Sequence, residues 1–122
     1  MQNIESFNKL AEFYTDECCY ITELHNSSAD EACSIARARV KPGVTTRLHK
    51  LQDTIERYVI LEGAARVRVG DAAPVEVQVF DVVNIAAGAA QSITNTGKGD
   101  LVFLCICTPR FRQHNYVSLD KT

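Results

Sequence analysis

Nowhere does this chain approach the roughly 18 consecutive apolar residues of a membrane span, and residues 1–10 have neither the basic start nor the apolar core of a secretion signal. No membrane partner is expected, and the predicted location is cytoplasmic. Basic residues are not in excess either. The 13 Lys and Arg face 15 Asp and Glu, for a net charge of −2, and no stretch concentrates them as a nucleic-acid footprint would. Cysteines with zinc spacing are also missing. The five that occur are Cys18, Cys19, Cys33, Cys105 and Cys107, an odd number with no Cys-x-x-Cys pair. That layout suits neither a disulfide scaffold nor structural zinc, so reduced thiols acting as small apolar residues are expected. Helical periodicity is almost absent too. Only Ile4, Phe7, Leu10 and Ala11 carry it, which predicts one short amphipathic helix ahead of the main domain.

Apolar residues make up 46% and charged residues 23% of the 122 positions, values of one ordinary folded domain rather than of a disordered chain or a coiled coil. Most of the chain reads as strand after strand. A first strand ends near Leu24, before a polar turn at residues 25–30, and others are expected over residues 35–40, 45–51, 57–61, 65–69, 75–79, 82–85, 92–95 and 101–107. Turn residues separate them, among them Lys41-Pro42-Gly43, Gly70-Asp71 and Thr96-Gly97-Lys98-Gly99. Short strands at regular spacing, with no helices between them, predict an all-β antiparallel barrel or sandwich. The expected organisation is an N-terminal helix and strand extension at 1–33, a barrel at 34–108, and a C-terminal tail at 109–122 packed on the barrel. Residues 101–107 are apolar on both faces, with Leu101, Phe103, Cys105 and Cys107 on one and Val102, Leu104 and Ile106 on the other. A strand of that kind needs cover on both sides, which favours a homodimer.

One spacing stands out: Gly43, five residues, His49-Lys50-Leu51, four residues, Glu56, six residues, Gly63. It resembles the first motif of the cupin superfamily, Gly-x5-His-x-His-x(3,4)-Glu-x6-Gly, with Leu51 where the second histidine would stand. The second cupin motif is matched by Gly88 and Asn95, while Phe80, Ala86 and Gln91 occupy its Gly, Pro and His positions. The resemblance covers residues 35–108 and implies a jelly-roll-like double-stranded β-helix. It further implies a metal site, usually of Mn, Fe, Ni, Cu or Zn held by three histidines and a glutamate. Carried over position by position, the candidate metal ligands here are His49, Glu56 and Gln91.

Strand alternation points to the same pocket, because side chains two apart face the same way. Arg47, His49 and Leu51 are predicted to share one face, Glu56, Tyr58 and Ile60 another, and Gln91, Ile93 and Asn95 a third. Arg47, Tyr58 and Gln91 are the candidate substrate-binding residues, with Arg47 suited to a carboxylate or phosphate, although an arginine on a strand edge is more often a solvated charge or a salt bridge. No residue is assigned a catalytic role. His49 and Glu56 also read as a hydrogen-bonded pair in a polar interior without metal. Two functions follow. One is a metal-assisted isomerase, lyase or oxygenase acting on a small polar metabolite. The other is a metal-free module that binds or senses a sugar-like or carboxylate ligand without catalysis. A third variant is a metal-free epimerase with His49 as base and Tyr58 as acid.

Overall fold

The computed structural model describes residues 3–120. Eleven strands form two sheets packed face to face: β1 Phe13–Tyr14, β2 Tyr20–His25, β3 Ser34–Val40, β4 His49–Leu51, β5 Ile55–Glu62, β6 Ala65–Val69, β7 Val75–Val77, β8 Val82–Ile85, β9 Gln91–Asn95, β10 Leu101–Thr108 and β11 Tyr116–Ser118. The larger sheet runs in the order β1-β2-β3-β10-β5-β8 and the smaller in the order β11-β4-β9-β6-β7, with every pairing antiparallel. This is the predicted all-β double-stranded β-helix. Among the described residues no helix is long and apolar enough to cross a membrane.

The inward faces of three neighbouring strands explain where the core ends and the pocket begins. On β10 the inward residues run Leu101, Phe103, Cys105, Cys107. Their partners on β3 run Val40, Ala38, Ala36, Ser34, and those on β5 include Ile60, Tyr58 and Glu56. Bulk and apolarity therefore fall together along the barrel. At one end Val40, Ile60, Ala65, Val67, Ile93 and Leu101 close-pack with almost no exposure. At the other, Ser34, Ala36, Ala38 and the two cysteines are too small to meet across the interior, and a cavity remains.

Two tight connections hold this frame. Asn95 is buried and uses both ends of its amide: Nδ2 donates to the carbonyls of Val40 and Gly99, each at 2.8 Å, and Oδ1 accepts from the Gly97 amide at 2.9 Å. It locks the turn between β9 and β10, as a turn-forming asparagine does. Gly63, between β5 and β6, has φ +90°, and a Cβ there would lie 2.8 Å from the Asp100 carbonyl oxygen. Glycine is required on both counts.

The expected amphipathic helix at the N-terminus is reduced to a single 3-10 turn at Lys9–Ala11, and Ile4, Phe7 and Leu10 are exposed. A helix of so few residues is marginal by itself, and ionic contacts hold the segment instead. Glu12 receives Arg39 at 2.6 and 3.0 Å and Arg37 at 3.3 Å, while Glu5 meets His25 at 2.5 Å. Strand β4 is also shorter than expected. Residues 46–48 lie outside it, and upstream the pairing with β9 continues irregularly, through the isolated bridge between Thr45 and Thr94 and the hydrogen bond from the Thr46 amide to the Ile93 carbonyl at 2.9 Å.

Candidate functional site

The cavity at the open end measures about 400 Å³. His49 and Leu51 reach it from β4, Glu56 and Tyr58 from β5, Phe103, Cys105 and Cys107 from β10, and Phe111 and Tyr116 from the tail. Strands β1, β2 and β3 and the segment between β1 and β2, with Asp16 and Glu17, supply most of the remaining wall.

His49 is held on two sides. Its Nδ1 lies 2.8 Å from the Arg47 carbonyl oxygen, which can only accept, so Nδ1 carries the proton and Nε2 holds the lone pair of the neutral ring. The ring stacks on Tyr116 with centroids 5.1 Å apart. Nε2 faces the Glu17 carboxylate at 3.6 Å. Burial pushes the Glu17 carboxyl above its usual range, and positive charge on the nearby His49 ring opposes that rise.

Glu56 is the second ionisable centre. It is 7% exposed, and its Oε1 has no hydrogen-bond partner. Burial, reinforced by the charge of Glu17, pushes its carboxyl up to about 7, although Gln91 and Cys105 lie near enough to favour the ionised form. Behind it, the Tyr58 hydroxyl donates to Gln91 Oε1 in a short hydrogen bond, and the Tyr58 ring packs on Phe103 at 4.6 Å. Burial raises the Tyr58 hydroxyl and the Cys105 thiol well above their ordinary values, and lifts Cys19 and Cys107 to about 12. These thiols stay protonated at neutral pH and are poor nucleophiles.

The sequence-predicted residues divide into two groups. His49, Glu56 and Tyr58 come together on the cavity wall. Gln91 is fully buried behind Tyr58, and its oxygen is taken by the tyrosine hydroxyl. Arg47 does not share the cavity face with His49. It precedes β4, where strand alternation does not apply, and its Nη1 lies 3.7 Å from Asp120. Two residues were not foreseen. Glu17 belongs to the extension and is placed by fold-back of the chain, with its carbonyl accepting from the Arg47 amide at 3.1 Å. Tyr116 comes from the tail through pairing of β11 with β4. Neither carries a local sequence signal.

The metal set implied by the resemblance can be tested on these side chains. Leu51 fills the second histidine position with a buried hydrocarbon, and Gln91 offers an oxygen already engaged by Tyr58. Among the described residues, no group of three or more His, Cys, Asp or Glu is arranged to hold a metal ion. The residues present do not make the donor set of a resident divalent metal, and the chemistry below is derived without one.

Comparison with known proteins agrees with the fold. The family model for the cupin domain matches residues 36–107. The chain is a cupin. No curated protein matches it. Among solved structures, it is similar to a predicted oxalate decarboxylase from Thermotoga maritima, with 30% identity over 75% of this chain and 80% of that one and a TM-score of 0.68. An uncharacterised double-stranded β-helix protein from Klebsiella pneumoniae superposes over 99% of this cupin and 100% of its own length, at 12% identity and a TM-score of 0.78. The nucleoside dehydratase Pac13 aligns over 93% of this chain and 89% of its own, at 10% identity and a TM-score of 0.76. At those last two identities the likeness speaks for the fold alone.

Proposed function

We propose that this cupin binds a small polar metabolite in the open end of the barrel and moves a proton on it, as an isomerase or lyase without a resident metal. The orientation of His49 carries the reading. Its Nδ1 proton is committed to the Arg47 carbonyl, which leaves Nε2 as a base directed at the cavity beside Glu17. Glu56, with its carboxyl near 7 and one oxygen without a hydrogen bond, lines the same cavity from the other sheet. At neutral pH it is present in both protonation states and can return or accept a proton. Tyr58 contributes a fixed aromatic wall, since its hydroxyl is engaged with Gln91. The homodimer expected from the second apolar face of β10 belongs to the same proposal, and the mass of the protein in solution checks it.

The test is proton exchange. Candidate metabolites are incubated with the protein in D2O, and incorporation of deuterium at carbon is followed by NMR, beside a His49→Ala variant and elemental analysis of both. The expected result is exchange in the wild type, none in the variant, and no stoichiometric metal in either. Exchange that survives in His49→Ala overturns the role of the histidine. Near-stoichiometric metal in the wild type that is lost in the variant replaces this reading with the metal-assisted one.

A further inference from the structure

We propose that the ligand of this pocket is an organic cation: a protonated amine on a small, largely apolar body. This inference deepens the reading above and rests on the pocket being the ligand site. Four carboxylates line the cavity. Glu17 and Glu56 stand inside, and Asp16 and Glu23 are at its exposed margin. Among the described lining residues there is no Lys and no Arg. His49 is the one basic side chain, and it already faces Glu17 at 3.6 Å. Whatever the state of that histidine, the wall carries an excess of acid, and a carboxylate or phosphate entering it meets like charge without compensation.

A second, independent observation points to an occupant. Glu56 is 7% exposed, lines the cavity, and its Oε1 makes no hydrogen bond, although Gln91 and Cys105 lie near the carboxyl. An unpartnered carboxylate oxygen in a buried site is costly unless a donor is supplied from outside, and an ammonium group supplies donors and charge together. Aromatic rings of Phe13, Tyr14, Phe111 and Tyr116 form much of the remaining wall and suit both the apolar body of such a ligand and the face of a cation. A bare divalent ion fits less well, because among the described residues no three His, Cys, Asp or Glu side chains are arranged to hold one. The barrel is shared with a protein described as a predicted oxalate decarboxylase, yet the wall of this cavity is charged to repel a dianion such as oxalate.

The experiment is a calorimetric titration of the full chain at pH 8 with primary amines running from ethylamine to tyramine. Each is paired with its isosteric carboxylate and alcohol, and Mn2+ and Ni2+ are titrated separately. Binding by at least one amine, with its carboxylate and alcohol weaker by roughly tenfold or more, is expected. Glu17→Gln and Glu56→Gln should each weaken the amine by a similar factor. Glu17 is part-exposed on the extension, so its variant carries the test if Glu56→Gln fails to fold. A carboxylate or alcohol that binds as tightly as its amine overturns the cation but leaves the proton-transfer reading standing. Binding of Mn2+ or Ni2+ with no amine bound overturns the organic ligand in favour of a metal. Silence from every probe overturns the ligand pocket and both readings with it.

Discussion

Replacing Glu56 by glutamine should change how stability depends on pH. The carboxyl is raised from 4.5 to about 7, chiefly by burial and next by the charge of Glu17. A carboxylic acid raised on folding means that the native state holds its proton more tightly than the unfolded chain does. Its contribution is therefore fully present below about pH 4.5 and is lost as pH climbs through 7. At about 1.4 kcal/mol per tenfold in proton affinity, the gap is worth about 3 kcal/mol. Glutamine keeps the shape and has no proton to lose. Guanidinium unfolding followed by circular dichroism at pH 4.5 and pH 8.5 measures the effect, because titrating groups that do not interact with Glu56 are common to both proteins and cancel in the difference, leaving Glu56 with its coupling to Glu17. The wild type should lose about 3 kcal/mol more than Glu56→Gln between the two pH values, which is roughly 10 °C in Tm for a domain of this size. Parallel losses in the two proteins would refute the assignment of a buried, raised carboxyl at this position.

Three further outcomes test the frame around the pocket. Phe103→Ala removes a ring that is 2% exposed and packs on Tyr58 at 4.6 Å; a loss of about 3–5 kcal/mol in denaturant unfolding is expected, and a loss under about 1 kcal/mol contradicts its place in the core. Gly63→Ala forces a side chain toward the Asp100 carbonyl at φ +90°; it should cost roughly 1–3 kcal/mol, and an unchanged midpoint means the connection from β5 to β6 relaxes freely. Asn95→Ala deletes three hydrogen bonds in a buried turn. It should cost about 3 kcal/mol, whereas Asn95→Asp, which keeps only the acceptor, should recover little of that.

The strands were legible because one face of each meets a core and the other does not. Alternation places residues 65–69 and 82–85 to the residue, and β3, β5, β9 and β10 to within two. Alternation fails where pairing fails. Arg47 was assigned to the His49 face as though the strand began at residue 45, but regular pairing begins only at His49, and the arginine meets Asp120 instead. The N-terminal pattern misled for a related reason: three apolar residues at helical spacing have no surface to bury against, and the segment follows its ion pairs to β3 and β2. Within the site, His49, Glu56 and Tyr58 could be read from motif spacing and a period of two. Glu17 could not, since its position is set by a turn and a backbone hydrogen bond to residue 47, thirty residues further along the chain.

That last contact has a consequence for how such a protein can change. The barrel contributes the imidazole and one buried acid, while the second acid inside the cavity sits on the segment between β1 and β2, which is tied to the scaffold by the backbone hydrogen bond from Arg47 to Glu17 and by Cys19 in the core. Charge at the cavity's margin can be rewritten at Asp16 and Glu17, with Cys19 and the other side chains of the packed interior left in place. Acid at that margin and the closely packed core are supplied by different side chains, so the first can be altered at little risk to the second.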